Sequence, residues 1–375
     1  MNKLTVLEIK DLPFCLGAMQ NSSNPGDLPN IYPFRLHVNY DLARLEQVDD
    51  PALESLLDRV YRLGSEMGTP SDSTDLGKPY VEDFMNFIHD FLPVNGSLLE
   101  IGAGTGFLSK CLLDAGWHVT SIEPGQGYAH LWVRHGVKVI NDFFPSKKIN
   151  GKFNAIVFYT VLEHIKDTRT FLESVKQHLN PGGMIFLGVP DCSTELYAGD
   201  PGILLHEHYQ YFTLKSLVNT LCDAGFAPQV NKSLYGRSLF AAGSISFEHS
   251  EEIFPDKSEI SVIQCYLKNV ALARITVQTA LNTWQKSGFV GIYCPSRILN
   301  YLEGNSDLCF YDDADDIQGM YYPPFNTPVL SREQLILNPP KTLLIASRTF
   351  GDKLKQELTE QGLILDIFTL NELVK

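Results

Sequence analysis

The sequence lacks several features by which whole classes of protein are recognised. Its 375 residues contain no run of Lys and Arg, and the formal net charge is -14. A groove that follows nucleic-acid phosphates needs a basic face, so nucleic acid is not an expected partner. No stretch approaches the roughly 20 apolar residues of a membrane span. The N-terminus also lacks the apolar core of a signal peptide, so we expect a cytoplasmic protein with no membrane partner.

Paired cysteines are also missing. The seven cysteines lie far apart in the chain, and no C-x-x-C pair occurs. This spacing provides neither a zinc-knuckle ligand set nor a disulfide framework, so reduced thiols are expected. The sequence therefore predicts no metal site.

The pattern of strands and helices divides the chain into four parts. Residues 1–75 form an irregular arm with one helical stretch. Residues 76–247 alternate apolar strands with helices, which predicts an α/β fold with a largely parallel, Rossmann-like sheet covered by helices on both faces. Residues 248–287 contain one long amphipathic connector helix. Residues 288–375 resume the alternation as a second, smaller α/β unit that is also Rossmann-like.

The stretch LLEIGAGTGF places Gly102, Gly104 and Gly106 between a buried strand and a helix. Glycine permits a tight turn and a close approach to a ligand, and a helix N-terminus favours polar or anionic groups. The spacing is G-x-G-x-G, whereas a dinucleotide fingerprint is G-x-G-x-x-G, and Phe107 stands where its last glycine would be. Glu123 ends the next strand, where a carboxylate can accept both hydroxyls of a ribose.

A longer series of motifs accompanies this loop. Asn141 and Asp142 follow the next apolar run, and VFYTVLEHIKD and LNPGGMIFLGVPD complete the series. In this order the residues resemble the class I S-adenosylmethionine-dependent methyltransferases over about residues 80–245. The resemblance implies S-adenosylmethionine as the cofactor, with glycines under its methionine and ribose parts, Glu123 on the ribose, and Asp142 at the adenine amine. The cofactor-binding residues predicted in this way are Glu100, which would anchor the loop, Gly102, Gly104, Gly106, Glu123, Asn141 and Asp142.

The stretch LLHEHYQYF places His206, Glu207 and His208 side by side after the last strand of this series. A loop at the carboxyl end of such a strand can line the substrate pocket. Histidine is the natural general base near neutral pH, and a carboxylate can orient it. If the segment is extended, both imidazoles point to the same side. A metal site lacks a third ligand with a spacing signal, and a purely structural role stays open, as it does for His164.

The whole chain more closely resembles the three-part sugar methyltransferases, including the sugar 3-C-methyltransferases. In that family a small zinc module, the methyltransferase core and a C-terminal Rossmann-like domain enclose a nucleotide sugar. The family's E-H-x-x-Y-F element is matched by Glu207, His208, Tyr211 and Phe212. Its C-terminal motifs are matched by GIYCPSR, which ends at Arg297, by YDDADDIQGMYYPPFNTPVLS and by LLIASRTF.

Two departures from that family bear on the chemistry. Asn39 and Leu42 stand where the zinc module has cysteines, so the N-terminal arm has to fold by packing alone. Tyr235-Gly236-Arg237-Ser238 replaces a His-Gly-Gly-Ser element that carries a base candidate in the carbon-methylating members. Here Arg237 can pair with a phosphate or carboxylate. The change favours O-methylation no less than methylation of a sugar carbon.

The sequence thus predicts an S-adenosylmethionine-dependent methyltransferase for a small polar acceptor, a nucleotide-linked or related sugar of a polysaccharide or natural-product pathway. His208 is the first candidate for the general base, His206 the second, and Glu207 a supporting residue. The predicted substrate-binding residues are Tyr211, Tyr235, Arg237 and Arg297. Two alternatives stay open: an O- or N-methyltransferase of a non-sugar secondary metabolite, and a non-catalytic binding protein with the same fold. The acceptor atom and the oligomeric state are left open too.

Overall fold

The computed structural model describes residues 5–63, 77–92, 96–246, 257–303, 308–363 and 365–374. The chain forms two compact units that do not follow chain order. The first unit comprises Met1–Thr5, Leu36–Thr194 and Glu207–Ile263, and the second comprises Val6–Arg35, Glu195–His206 and Gln264–Lys375. The four-part division of the chain stays a prediction.

The described strands and helices are as follows. The strands are β1 (Thr5–Pro13), β2 (Ile31–Asn39), β3 (Arg44–Gln47), β4 (Ser97–Ile101), β5 (His118–Glu123), β6 (Val139–Asn141), β7 (Phe153–Tyr159), β8 (Leu179–Pro190), β9 (Gln210–Tyr211), β10 (Phe226–Lys232), β11 (Ser238–Ile245), β12 (Val290–Tyr293), β13 (Leu308–Tyr311), β14 (Val329–Leu330), β15 (Thr342–Ile345) and β16 (Asp366–Thr369). The α-helices are α1 (Pro51–Leu63), α2 (Lys78–Phe91), α3 (Phe107–Asp114), α4 (Ala129–His135), α5 (Thr168–Gln177), α6 (Ser193–Ala198), α7 (Leu214–Asp223), α8 (Lys257–Gln285), α9 (Arg332–Leu337), α10 (Gly351–Glu360) and α11 (Leu370–Leu373).

The first unit is built on a seven-stranded sheet with the order β10-β11-β8-β7-β4-β5-β6. Strands β6, β5, β4, β7 and β8 run parallel, whereas β11 is antiparallel to β8 and β10 is antiparallel to β11. The predicted α/β fold class is therefore confirmed. Strand β4 lies between β5 and β7, which is the point where the strand order reverses. In open α/β sheets, ligands bind at the carboxyl ends of the strands beside this point.

Both faces of this sheet are covered, as the apolar runs of the central strands predict. In β7 the side chains of Ile156 and Phe158 pack into a core that includes Leu172 of α5 and Leu217 of α7. Their neighbours in the strand, such as Val157, pack into a second core on the opposite face, which is formed with α2 and α3. This two-sided packing holds the strand ends in place for the loops that follow them.

The Asn-Pro-Gly-Gly stretch follows α5, which ends at Gln177, and lies within β8. The N-terminal arm differs from the sequence-based expectation. The N-terminal arm contains strands as well as its helix: β1, β2, β3 and β9 form a four-stranded sheet in that order. In the first unit, β3 pairs antiparallel with β9 through Leu45 opposite Tyr211. Alternating apolar residues in RLHVN favour such a strand.

The second unit contains a five-stranded parallel sheet with the order β14-β13-β12-β15-β16. Helix α8 is the one described helix that is long and apolar enough, by length and composition, to span a bilayer, a property that the sequence analysis did not detect. Core helices pass the same test. Here Ile263, Val270, Val277 and Leu281 are buried inside the protein, whereas Leu272 and Ile275 are more than half exposed.

Candidate functional site

A glycine loop follows β4 at the point where the strand order reverses. Gly102, Gly104 and Gly106 have φ angles of 78°, 47° and 76°, a region that residues with a side chain rarely adopt. A Cβ atom at Gly102 would lie 2.4 Å from Cγ2 of Val161, and one at Gly106 would lie 3.0 Å from Cδ1 of Trp132. A Cβ atom at Gly104 would meet nothing within 4 Å. The loop is thus packed at its two ends and open at its middle.

Glu123 is tied to this open middle by backbone hydrogen bonds. Its Oε2 accepts from the amide of Gly104 at 3.1 Å, and its Oε1 accepts from the amide of Gly125 at 2.8 Å. Burial raises the pKa of Glu123, and the two amides act against that rise. Trp132 donates from Nε1 to the carbonyl oxygen of Gly104 at 2.7 Å. Because each carboxylate oxygen can accept more than one hydrogen bond, Glu123 can serve the loop and ribose hydroxyls together.

The structure places the other predicted cofactor residues around this loop. Glu100 is buried and accepts hydrogen bonds from Ser109 and Ser121, which connects β4 to α3 and β5. Asn141 donates from Nδ2 to the carbonyl oxygen of Glu123 at 3.0 Å. These bonds brace the ends of the strands from which the loop emerges.

Asp142 is half-buried next to this loop and already has local partners. Its carboxylate accepts from the amide of Phe143 at 3.0 Å and from the hydroxyl of Ser146 at 2.8 Å. The hydrogen bond from Ser146 lowers the pKa of Asp142, and Lys148 adds to the effect. The carboxylate therefore stays charged near neutral pH and keeps acceptor capacity for a donor such as an amine.

A second group of functional side chains lies beyond β7. Glu163 and His164 belong to the single 3-10 turn Leu162–His164, and His208 lies just before β9. One ligand-type atom from each of the three side chains lies within 4.8 Å of the others. We call these three residues the histidine cluster. Val161, which is in contact distance of Gly102, connects the cluster to the glycine loop.

The tautomer of His164 follows from its partners. Its Nδ1 lies 3.0 Å from the backbone carbonyl oxygen of Glu207 and 3.1 Å from the phenolic oxygen of Tyr61. A carbonyl oxygen can only accept, so Nδ1 carries the proton and Nε2 carries a lone pair. Burial lowers the pKa of His164 to about 4. The imidazole is therefore neutral near pH 7, with Nε2 directed to the side of Glu163, whose Oε1 is 3.9 Å away.

Glu163 is a buried carboxylate. The residue is 1% exposed, and its Oε2 has no hydrogen-bond partner in the described part of the chain. Burial raises the pKa of Glu163 to about 8, and the nearby Glu207 adds to the rise. With this pKa the group is mostly a neutral carboxylic acid near pH 7, and its Oε2 is a buried oxygen without a described partner.

His208 has two ring neighbours. The centroids of its ring and the ring of His164 are 4.9 Å apart, and those of its ring and the ring of Tyr211 are 6.1 Å apart. Burial, with a contribution from His164, holds the pKa of His208 well below its usual range. Neither ring nitrogen has a hydrogen-bond partner among the residues that the structure describes. A neutral imidazole in this state can accept a proton or bind a ligand.

The backbone holds His208 beside the 3-10 turn. The amide of Tyr209 donates to the carbonyl oxygen of Glu163 at 2.8 Å, and the amide of Gln47 donates to the carbonyl oxygen of Tyr209 at 2.9 Å. The side chain of Gln210 donates to the carbonyl oxygens of Ile165 and Lys166 at 3.0 and 3.1 Å. Strand β3 of the N-terminal arm pairs with β9 and thereby holds this segment in place.

His206 has different surroundings from those of His208. Both imidazoles would face the same side only if the segment were extended. Residues 206 and 207 instead form a turn, so this expectation does not hold. The ring of His206, in the second unit, packs 5.2 Å from the rings of both Phe14 and Phe34. Its Nε2 donates to the carbonyl oxygen of Tyr32 at 3.1 Å, and burial lowers its pKa to about 4.

The predicted substrate residues lie in three kinds of environment. Tyr211 is fully buried in β9. Tyr235 and Arg237 are exposed in the turn before β11, and the carbonyl oxygen of Arg237 accepts from the amide of Asp191 at the end of β8. That turn thus lies at the same edge of the sheet as the glycine loop. Arg297 ends the 3-10 turn Pro295–Arg297, and its side chain lies outside the described residues.

Sequence reasoning missed three residues of this site. Tyr61 and Trp132 lie in helices with no motif around them, and only the fold brings them to His164 and Gly104. The position of Glu163 after a strand, in VLEH, is compatible with a functional site. A carboxylate next to a histidine is also common on protein surfaces, so the sequence alone did not single it out.

Comparison with known proteins agrees with this geometry. Residues 77–229 match a family model described as Methyltransferase domain. A ubiquinone biosynthesis O-methyltransferase of Xylella fastidiosa is 27% identical over 114 residues, which cover 28% of this chain and 46% of that protein. The C-methyltransferase NovU of Streptomyces niveus is 27% identical over 126 residues, 32% of this chain and 30% of that protein. This chain therefore spans less than half of either relative.

Among solved structures, the DhpI-SAM-HEP complex is 18% identical and covers 52% of this chain and all of its own, with a TM-score of 0.43. The fold assignment does not depend on so distant a likeness, because the order and direction of the seven strands are read from the protein itself. The match of residues 77–229 to the model described as Methyltransferase domain includes the glycine loop and the parallel strands β4 to β8.

Proposed function

We propose that this protein is an S-adenosylmethionine-dependent methyltransferase that acts on a small polar acceptor. The observation that carries the proposal is the pairing of Glu123 with the amide of Gly104 at 3.1 Å, beside the histidine cluster. A carboxylate, an open glycine backbone and a group of neutral imidazoles then lie at adjacent strand ends, where ligands of such sheets bind.

The residues around the glycine loop fit this cofactor. The open space at Gly104 leaves room for a ligand against the backbone, and the carboxylates of Glu123 and Asp142 offer acceptors for hydroxyl and amine groups. Bound S-adenosylmethionine supplies a methyl group that is electrophilic because it is attached to a sulfonium. The protein has to orient the acceptor and remove its proton.

We assign the removal of that proton to His208. Its ring is neutral near pH 7, and it has no hydrogen-bond partner among the described residues, so a nitrogen is free to accept. Glu207 supports the arrangement through its carbonyl bond to His164. His206 stays the second candidate, although its Nε2 is engaged with Tyr32 and its ring is enclosed by aromatic residues.

A hydroxyl of a sugar, free or nucleotide-linked, is our proposal for the acceptor. The similarity to both an O-methyltransferase and a C-methyltransferase leaves oxygen and carbon as acceptor atoms. The replacement of the family's His-Gly-Gly-Ser element by Tyr235–Ser238 removes a base that carbon methylation would use. The exposed Arg237 at the sheet edge can pair with a phosphate of a nucleotide sugar.

A non-sugar hydroxyl acceptor is the second candidate. It is favoured by the similarity to ubiquinone biosynthesis O-methyltransferases over about a quarter of this chain. A binding protein without activity is the third, and cofactor binding alone does not distinguish it from an enzyme. The order of experiments is therefore binding first, then transfer.

The binding experiment is titration calorimetry of the full chain with S-adenosylmethionine and S-adenosylhomocysteine. We expect one site, with affinity reduced on the order of tenfold or more by Glu123→Ala, because this change removes acceptors for two ribose hydroxyls. Glu82→Ala, which removes an exposed carboxylate on α2, is the matched control and should bind as wild type does. Wild-type affinity in the Glu123→Ala protein would overturn the proposed cradle.

The transfer experiment uses S-adenosylmethionine with a tritiated methyl group and a panel of nucleotide sugars, free sugars, quinol precursors and amines. Mass spectrometry of the labelled product identifies the acceptor atom. Transfer to a sugar hydroxyl supports the proposal, transfer only to a non-sugar acceptor supports the second candidate, and binding without transfer to any compound supports the third.

A further inference from the structure

The histidine cluster combines three side chains of the kinds that bind transition-metal ions. Two imidazoles and one carboxylate, from Glu163, His164 and His208, present ligand atoms within 4.8 Å of one another. Two histidines and one carboxylate with open positions are a common ligand set for first-row divalent ions. The three ligands come from two segments that are distant in sequence, so no spacing motif marks them.

The protonation pattern leaves the correct atoms available. His164 donates from Nδ1 to the carbonyl oxygen of Glu207 at 3.0 Å, which leaves the lone pair of Nε2 on the side of Glu163. A metal-binding histidine typically donates its second ring nitrogen to a carbonyl or carboxylate in this way. Tyr61, at 3.1 Å from the same Nδ1, adds a further contact that holds the ring.

The buried carboxylate provides an independent observation. Glu163 is 1% exposed, and its Oε2 has no partner in the part of the chain that the structure describes. Buried polar oxygens in proteins usually accept a hydrogen bond or coordinate a metal. The nearest described cation-forming group is His164, at 3.9 Å from Oε1, and its Nε2 carries no proton to donate.

We propose that Glu163, His164 and His208 bind one divalent transition-metal ion, such as Zn²⁺, Mn²⁺ or Co²⁺. Mg²⁺ is disfavoured because it prefers oxygen ligands. Ligand atoms bound at about 2.0 to 2.2 Å lie roughly 3 to 3.5 Å apart, so atoms that now lie up to 4.8 Å apart would approach each other by up to about 1.3 to 1.8 Å. With three protein ligands, the ion keeps open positions for the oxygen of a small polar ligand.

This inference rests on the proposed function and refines it. With the ion bound, His208 would serve as a ligand in place of its role as the base. The ion would supply Lewis-acid chemistry that lowers the pKa of a bound acceptor hydroxyl, whose proton would pass to solvent. The carboxylate of Glu207, whose Oε2 is 4.0 Å from Nδ1 of His164, adds negative charge near the cation.

Metal binding is tested on the full-length protein without cofactor or acceptor. Zinc is measured by equilibrium dialysis with elemental analysis, cobalt by its visible absorption, and Mg²⁺ serves as the comparison ion. We expect one Zn²⁺ or Co²⁺ per chain. His208→Ala and Glu163→Gln should each lower the affinity at least tenfold, whereas His89→Ala, which removes an exposed histidine on α2, should leave it unchanged.

The outcomes separate this inference from the proposed function. A wild-type protein that binds S-adenosylmethionine but no ion overturns the metal site and leaves the methyltransferase proposal intact. If the protein binds an ion but no cofactor, the methyltransferase proposal is overturned and the metal site stands. Unchanged ion affinity in both His208→Ala and Glu163→Gln places the ion elsewhere and overturns the inference. Cofactor calorimetry on each variant tests whether it is folded. If His208→Ala does not fold, Glu163→Gln still tests the site, because glutamine has nearly the same shape as glutamate.

Discussion

The Nδ1 atom of His164 lies 3.0 Å from the backbone carbonyl oxygen of Glu207, 43 residues later in the chain. This hydrogen bond does two things. It determines which nitrogen of His164 carries the proton, and it holds the peptide that leads into His208 against the 3-10 turn after β7. The two imidazoles of the cluster are therefore positioned by a backbone atom, which no side-chain substitution removes.

His208→Ala should lower the rate of methyl transfer by about a hundredfold or more, the usual contribution of a positioned base or ligand, and leave cofactor affinity nearly unchanged. The reason is that the described ring contacts of His208 are with His164 and Tyr211, which lie outside the glycine loop. Single-turnover rates and calorimetry measure the two quantities. If both fall together, His208 holds the loop and is not part of the chemistry.

Tyr61→Phe tests the positioning of His164. The change removes the hydroxyl at 3.1 Å from Nδ1 and keeps the ring, while the carbonyl of Glu207 still accepts the proton. We expect a loss in kcat of about tenfold or less, with little change in KM, and a shifted pH profile. Tyr40→Phe, at an exposed tyrosine, is the control. A Tyr61→Phe protein with wild-type kcat and pH profile contradicts the positioning role.

Gly104→Asp should reduce cofactor affinity on the order of a hundredfold, because it places a carboxylate next to Glu123 and fills the space at the middle of the loop. The backbone at Gly104 has a φ of 47°, so part of any effect is conformational. Gly151→Asp is the matched control, since Gly151 also has a positive φ and an open Cβ position but lies in a distant turn. Equal affinity losses in the two variants would point to general strain.

His206 should make folding sensitive to mild acid. Its pKa is lowered to about 4 by burial, from about 6.5 in an unfolded chain. The unfolded state therefore binds the proton more tightly, so stability is complete above pH 6.5 and falls as the pH drops toward 4, by up to about 3 kcal/mol. His206→Phe should lose less stability than wild type between pH 7 and 5 in denaturant unfolding. An identical pH dependence in the two proteins would contradict the buried neutral state.

The sequence predicted those parts of the fold that follow from a simple residue pattern. Apolar strands that alternate with helices led to the parallel sheet, and the glycines before a helix start led to the loop after β4. The predicted orientation of the two histidines failed because it depended on the local backbone conformation. Residues 206 and 207 turn instead of extending, so the two histidines that stand together in sequence have different neighbours.

The candidate site shows the same limit. Glu123 was predicted because it ends a strand, a position that pattern alone identifies. Tyr61 reaches His164 from a helix 103 residues away, and Trp132 reaches the carbonyl of Gly104 across 28 residues. Such contacts depend on how helices pack on the sheet, and neither residue type nor spacing in a single sequence encodes them.

The absence of a side chain at residue 102 has one further consequence. A methyl group there would overlap the branched side chain of Val161, two residues before Glu163, so the turn after β4 and the 3-10 turn that carries Glu163 and His164 are in direct contact. A substitution that enlarges the turn after β4 would therefore displace the neighbouring turn as well. In the proposed methyltransferase, changes in cofactor tolerance and in acceptor selectivity are therefore expected to occur together.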